Sequence, residues 1–455
     1  MTPERRCDIP PAVRRFLYIT PYFPPQSRVG ALRPLKFARH LPSHGWTPVI
    51  LCDLKPSDRV DPDLLKAVPE TTVVFRTYGA FAWLSERVFL RRKLRATRHD
   101  AIGTAGSEGR PGRAAGRRRI RLPSLPTPPP EHFPLGWHRL DMIRAVPQAR
   151  RILGRFPCEA VMVNADPYDA LVVGRKVARE SDLPLILDLR DPWSVCALRR
   201  PLRPPRQLRT VDRIEREAVM SAFRVILNTE TALEAYRRHY RDLPAERFTC
   251  IRSHGDRELV SHGAFSRLPE FTVLYMGRFR RFVEGDPMIR MLAELKRRGH
   301  GPADIRLVVS GAVPADSLCL AERLGVDDIL DRRPAVPYRQ IGPFMASADL
   351  LISLSPATDQ RIAAKFFDYA LSPRPILLIT ENREFEDLAN CLGGVTVRPL
   401  HDVGALADVV EEEMRLGKGR TVTRAGDGLD SATASARLAE ILDAAAVERA
   451  HVRHP

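Results

Sequence analysis

Lys365 and Asp368 stand three residues apart in IAAKFFDYALSPRPILLIT (362–380), a spacing that puts both side chains on one face of a helix. The apolar run Leu350–Leu354 reads as a strand, a polar loop follows, and the helix starts near Arg361–Ala364. A helix start beyond a strand's carboxyl end offers free N–H groups and a positive dipole end to a diphosphate. A carboxylate one turn in is placed to accept hydrogen bonds from ribose hydroxyls. The same spacing also makes an ordinary surface ion pair, worth roughly a few tenths of a kcal/mol.

Three further positions have chemical potential. The strand Phe271–Met276 ends in Gly277-Arg278, and an arginine fork at a strand's carboxyl end suits bidentate contact with phosphate. Asp191 follows the strand Leu185–Leu189, where a carboxylate can orient a hydroxyl or meet developing positive charge, or simply cap a helix or pair with Arg190. His254 lies in the loop Arg252-Ser253-His254-Gly255-Asp256 between two halves of the chain. No paired histidines stand at ligand spacing, and no metal is expected.

The elements that must position these residues alternate in a regular way. Phe16–Thr20, a helix carrying Leu32, Leu35, Phe37, Ala38 and Leu41, and Val49–Cys52 form a βαβ unit, which implies a parallel sheet. Helices near 139–154, 168–180 and 206–221 alternate with strands Ala160–Asn164, Leu185–Leu189 and Arg224–Asn228. The polar strand ends Asn164-Ala165-Asp166, Arg190-Asp191 and Asn228-Thr229-Glu230 then line a ligand crevice. After residue 256 the pattern restarts: strands Phe271–Met276, Ile305–Ser310, one near Ile329, Leu350–Leu354 and Ile376–Thr380 alternate with helices at 287–298, 315–324, Tyr338–Ala346, 363–371 and 403–414. An Ala-rich helix at about 431–447 closes the chain and can pack back across the first domain. The expected fold class is therefore α/β, two doubly wound Rossmann-like domains facing across a cleft. The domains are expected at 1–262, 263–425 and, for the last helix and tail, 426–455.

Composition supports this division. The chain has 455 residues, 44 % of them hydrophobic, enough for two cores of roughly 200 residues each. Seven cysteines are scattered singly, as expected of small core residues in a reducing cytosol. The polar residues 1–15 lead into a short first strand rather than a signal peptide, and no apolar run approaches the roughly 18 residues of a membrane span. A cytoplasmic protein is expected, at most peripheral on the membrane's cytoplasmic face. The formal charge is +17, but residues 91–121 hold eleven Lys or Arg against two acids, so the charge belongs to a local element within a Pro/Gly/Arg-rich insertion at about 91–130. With no stacking motif or reading helix, a nucleic-acid partner is not expected. Residues 81–121, with Phe81, Trp83, Val88, Phe89 and Leu90 ahead of the charges, read either as a solvated stretch or as a dock for an anionic membrane surface.

The segment Lys365-Phe366-Phe367-Asp368-Tyr369-Ala370 with Pro375-Ile376-Leu377 resembles the donor motif of GT-B-fold glycosyltransferases, in particular family 4. PYFPPQSRVGALRPLKFARHLPSHGW (21–46), LDLRDPWS (187–194), IRSHGD (251–256) and LYMGRFRRFVEGDP (274–287) extend the resemblance over most of the chain. It implies a nucleotide-sugar as co-substrate, no permanently bound cofactor, no metal, and transfer with retention to a hydroxyl acceptor. The acceptor would be a lipid-linked glycan or an envelope polysaccharide. It places donor binding on Gly30, Gly277, Arg278, Arg281, Lys365 and Asp368, and the acceptor side on Trp193 and His254. Asp191 and Gln360 take the catalytic positions; Gln360 stands where the family carries an acid. Two other readings share the fold: a nucleotide-sugar 2-epimerase, and a catalytically degenerate sugar-nucleotide-binding partner in a glycan-assembly complex.

Overall fold

In this computed structural model the residues described are 14–53, 59–77, 138–165, 169–196, 200, 205–277, 279, 285–355, 361–424 and 428–453. Arg278, Arg281, Gln360 and the basic segment at 81–130 lie outside them.

The chain forms two parallel sheets. The first has the order β3-β2-β1-β4-β5-β6-β7, from β1 (Arg14–Ile19), β2 (Trp46–Asp53), β3 (Val73–Thr77), β4 (Ala160–Ala165), β5 (Leu185–Leu189), β6 (Arg224–Leu227) and β7 (Phe248–Cys250). The second has the order β10-β9-β8-β11-β12-β13, from β8 (Phe271–Met276), β9 (Ile305–Ser310), β10 (Leu330–Arg333), β11 (Leu350–Ser355), β12 (Ile376–Thr380) and β13 (Val395–Arg398). In both, the first strand sits in the middle and the order reverses beside it, which opens a crevice at the carboxyl ends. The doubly wound α/β pair expected from the strand pattern is the observed architecture.

Side-chain alternation explains why the strands read as continuous apolar runs. In β1, Leu17 and Ile19 enter one core with Val161, Val163, Leu185 and Leu187, while Phe16 and Tyr18 enter another with Ile50, Met162 and Ile186. Both faces are covered, so both parities must be apolar. The second core of that pair is closed by α1 (Val29–His40), through Phe37 and Ala38, and by the last helix, Ser431–Arg453. That helix brings Ala434, Leu438, Leu442 and Ala445 onto the first sheet, and Trp46 donates its indole N–H to Asp443 at 3.1 Å. The chain crosses between domains at 251–256, where Gly255 N–H bonds Leu429 O at 3.0 Å and Ser431 Oγ bonds Gly255 O at 2.7 Å. The crossing and the returning helix are thereby tied together.

Six strands and helices have no counterpart in the sequence reading, among them β7 and the five-residue helix Pro62–Lys66. The edge strands β3 and β13 are short and only half-buried, so they carry no long apolar run. Two helices, α6 (Glu230–His239) and α11 (Arg383–Asn390), are short and start at the caps Thr229 and Asn382. Between them in the chain, α7 (Gly285–Arg297), α8 (Ala315–Arg323), α9 (Ile341–Ser347) and α10 (Ala364–Ala370) flank the second sheet. The helix expected over Tyr338–Ala346 is a 3₁₀ turn at Tyr338–Gln340 followed by α9, and α10 is only seven residues long. Completing the helical set, α2 (Pro62–Lys66), α3 (His138–Arg155), α4 (Asp169–Ser181) and α5 (Pro205–Ser221) belong to the first domain, α12 (Val403–Leu416) to the second, and α13 is the last helix.

Candidate functional site

The carboxyl ends of the two sheets face one cleft of about 190 Å³. From the first domain, Val29, Leu32, Arg33 and Lys36 line it at spacings of three and four, a single face of α1. Beyond β5 come Arg190 and Asp191, and beyond β6 comes Asn228. His254 lies in the crossing segment. The second domain contributes Ser355 at the end of β11, then Arg361 to Ala364, and Asp368 on α10.

Arg33 and Lys36 are both buried, so each must be compensated. Arg33 Nε donates to Asp188 Oδ2 at 2.9 Å, and its two terminal nitrogens donate to Arg252 O and Ile251 O at 2.9 Å each. Asn164 Nδ2 donates to the same Asp188 oxygen at 2.8 Å. Lys36 Nζ donates to His254 O at 2.5 Å and lies 3.5 Å from Asp368 Oδ1. Tyr338 Oη donates to the same oxygen at 2.7 Å. Burial pushes the Asp368 carboxyl up from its ordinary range, and Lys36 and Tyr338 pull against that rise. One lysine therefore joins the first domain, the crossing loop and the second domain.

His254 is 4 % exposed, and among the described residues neither ring nitrogen has a hydrogen-bond partner. Burial, reinforced by the charges of Lys36 and Arg33, holds its pKa well below the ordinary value, so the ring is neutral. A neutral imidazole has one donor and one acceptor nitrogen. Asn228 Oδ1 is likewise buried and without a partner among the described residues. These groups give the first-domain wall hydrogen-bonding capacity that the fold itself does not use.

The remaining sequence candidates fall into two groups. Asp191 meets Arg361 across the cleft at 3.8 Å. Lys365 Nζ sits 3.4 Å above the centroid of the Tyr275 ring, beside Gly277. Gly277 has φ +118°, and its neighbour Gly311 has φ +149° with no room for a side chain: a Cβ there would stand 2.2 Å from Gly277 O. The ends of β8 and β9 thus approach backbone to backbone beneath Lys365. By contrast, Gly30 lies in the first turn of α1 beneath Tyr22, where a Cβ would come within 2.6 Å of the ring. Trp193 is buried in the first domain's core and does not line the cleft.

Sequence reasoning missed Arg33, Lys36, Tyr338 and Asp188. The available signal was a pair of basic residues on the apolar stripe of α1, and an acid inside the strand Leu185–Leu189. Asp61-Pro62-Asp63 also escaped notice as an Asp-x-Asp spacing. It is local structure: Asp61 caps Asp63 N–H at 3.0 Å and Asp63 pairs with Lys66 at 2.8 Å. Among the described residues no three His, Cys, Asp or Glu side chains converge to hold a metal, and no helix is long and apolar enough to cross a membrane.

Residues 31–253, which include every first-domain residue lining the cleft except Val29 and His254, match the family model of the glycosyl transferase 4-like domain. Over those residues the first domain is similar to a glycosyl transferase 4-like domain. Together with the second sheet it forms the GT-B fold, and solved structures share it along nearly the whole chain. HepE of Anabaena, solved with UDP and glucose, is similar with a TM-score of 0.56 at 13 % identity, over 96 % of this chain and 99 % of that one. Sucrose-phosphate synthase of Thermosynechococcus elongatus gives 0.56 at 12 % identity, over 97 % and 98 %. A UDP-N-acetylglucosamine 2-epimerase gives 0.51 at 8 % identity, over 94 % and 95 %. At these identities the likeness is one of fold. Comparison with curated protein sequences gives no match.

Proposed function

We propose that this GT-B protein transfers a sugar from a nucleotide diphosphate sugar to a hydroxyl acceptor. One observation carries the reading: a domain similar to a glycosyl transferase 4-like domain presents Asp191 and two polar groups unpaired among the described residues, His254 and Asn228, across a cleft from Arg361 and Asp368. The acceptor oxygen would bond the anomeric carbon as the carbon–oxygen bond to the diphosphate breaks. The electron pair leaves with the diphosphate, and the acceptor's proton passes to a departing phosphate oxygen or to Asp191.

In this reading Gly277 and Lys365 receive the diphosphate, with Arg278 and Arg281 of the adjoining loop. The close approach of Gly277 and Gly311 leaves a bare backbone there, and Lys365 stands over it. Asp368 serves the ribose, with Lys36 and Tyr338 fixing its carboxylate. His254 and Asn228 hold the acceptor or the transferred sugar. Arg and Lys neutralise the leaving group, so no cation is required. Retention, a role for Gln360 toward the transferred sugar, and an acceptor carried on a lipid or an envelope polysaccharide follow from the family resemblance. Residues 81–121 would hold the protein at an anionic surface.

The test is calorimetry and thermal shift with nucleotide diphosphates and their sugars, on the full chain and on Asp368→Asn and Asp191→Asn. A true donor at hundredfold excess over its Kd raises stability by roughly 2.7 kcal/mol. Asp368→Asn weakens that gain, whereas Asp191→Asn retains binding and loses transfer. If no nucleotide or nucleotide-sugar stabilises the chain, the reading fails. The likeness to a 2-epimerase supports a second reading, in which the donor alone is converted. Proton NMR of donor incubated without acceptor separates the two, since only an epimerase changes the configuration at sugar C2.

A further inference from the structure

Glu215, on α5, is fully buried in the first domain, and among the described residues none of the hydrogen bonds it accepts comes from a cation. Its carboxylate instead collects neutral donors. Ser194 gives its backbone N–H to Oε2 at 3.2 Å and its hydroxyl to Oε1, and Tyr240 gives its hydroxyl to Oε1 at 3.0 Å. Tyr236 lies beside it and accepts the backbone N–H of Trp193 at 3.2 Å. Tyr236 is on α6 and Tyr240 is the residue that caps its carboxyl end, so one helix end brings both hydroxyls to the cluster. Two consecutive amides of the turn after β5 are thus satisfied by this one cluster.

A buried carboxylate without a cation is a costly way to fill space, and an apolar residue of equal volume would be cheaper for stability alone. Burial does push this carboxyl above its ordinary range. What glutamate adds is acceptor capacity exactly where a turn must be held, because a backbone N–H buried without a partner is expensive. That turn begins at Asp191, which faces Arg361 at 3.8 Å.

We propose that Glu215 is a positioning residue: through Ser194, Tyr236 and Tyr240 it fixes the turn at 191–196 so that Asp191 is presented to the cleft. The consequence for turnover rests on the transferase reading above, whereas the effect on the turn does not. Glu215→Gln is the first variant, because it keeps the shape but turns an NH₂ toward groups that donate. Tyr240→Phe, which removes a single donor and keeps the ring packing, is the second and covers the case in which Glu215→Gln does not fold.

Two measurements on the full chain decide the matter. Hydrogen exchange of the peptide carrying Trp193 and Ser194 is expected to accelerate at least about tenfold, with β4 to β6 unchanged. With UDP and UDP-glucose as probes, UDP affinity and the donor KM stay within about twofold while kcat falls about tenfold or more, as for a displaced reacting group. Unchanged exchange at 193–194, or acceleration spread evenly through the sheet, overturns the proposal. So does normal kcat in a variant whose turn has loosened. If the wild-type chain binds neither probe, the transferase reading is what fails, and the exchange data still decide whether Glu215 holds the turn.

Discussion

Lys36 of the first domain and Asp368 of the second meet across the cleft with Nζ 3.5 Å from Oδ1, both side chains nearly excluded from solvent. This pair is the centre of the candidate site and also a tie between the domains. Removing the lysine leaves a buried carboxyl without its cation, which costs about 3 kcal/mol near neutral pH.

Lys36→Met should therefore lower stability, and by less as the solution is acidified. Burial already raises Asp368 above its unfolded value, and losing Lys36 raises it further. An acid whose folded pKa is raised binds its proton more readily in the native state. Its penalty is then absent below the unfolded pKa and complete above the folded one. Denaturant titrations of Lys36→Met at pH 7 and pH 5 should show the smaller loss at pH 5, and adding Asp368→Asn should restore most of it. An equal loss at both pH values would remove this account of the pair.

Asp256 titrates in the opposite sense. Burial alone would raise it, but the hydrogen bond from His40, the N–H of Leu259 and the charge of Arg39 together bring it down to about 2. An acid with a lowered pKa contributes stability above its unfolded value and loses it as pH falls through the folded one. The drop from 3.8 corresponds to on the order of 2 kcal/mol, lost between about pH 4 and pH 2. Asp256→Asn should cost that amount at pH 6 and flatten the acid limb of the stability curve. A variant with the wild-type slope between pH 4 and pH 2 would assign the acid sensitivity elsewhere.

Gly311→Ala should damage both stability and donor binding. The new Cβ would fall 2.2 Å from Gly277 O, and φ is +149°, so neither backbone nor rotamer relaxation relieves it cheaply. Strained backbone of this kind costs about 1–3 kcal/mol. The displaced partner is Gly277, beside Lys365, so UDP affinity should fall more than the melting temperature alone implies. Calorimetry at a temperature where the variant is fully folded checks this, and wild-type affinity there would separate the glycine contact from the donor site.

The fold was legible because a doubly covered parallel strand must be apolar on both parities, as in Phe271–Met276 and Ile376–Thr380. The half-buried edge strand Val395–Arg398 obeys no such rule and left no run to find. Asp191 was legible as a cleft-lining residue, and Gly277 as a strand-end position, because strand ends face the crevice in this architecture. Lys36 was not, since its meaning depends on Asp368, 332 residues away. Glu215 looks like one more polar residue of an amphipathic helix until the fold brings Ser194 and Tyr240 to it. Trp193 misled for the complementary reason: an aromatic beside Asp191 turns inward and serves the core.

Glu384 supplies the last prediction. It stands in the first turn of α11 in the second domain, yet its two carboxylate oxygens accept the N–H groups of Glu230 and Thr231, at 2.8 Å each, in the first. Arg252 of the crossing segment joins it at 3.1 Å. Those two N–H groups open α6 and have no carbonyl within their own helix, so the second domain caps a helix of the first. A carboxylate on a helix N-terminus in a partly buried setting is worth about 1–2 kcal/mol. Glu384→Ala should therefore loosen the closed arrangement of the domains without unfolding either sheet. The expected signature is a larger radius of gyration in small-angle scattering and a thermal transition that broadens or splits in two. Glu384→Gln keeps one acceptor oxygen and should lie between the variant and the wild type. A Glu384→Ala protein with unchanged scattering and one unshifted transition would mean that the other contacts between the domains, Lys36–Asp368 and Asp191–Arg361 among them, suffice to hold them.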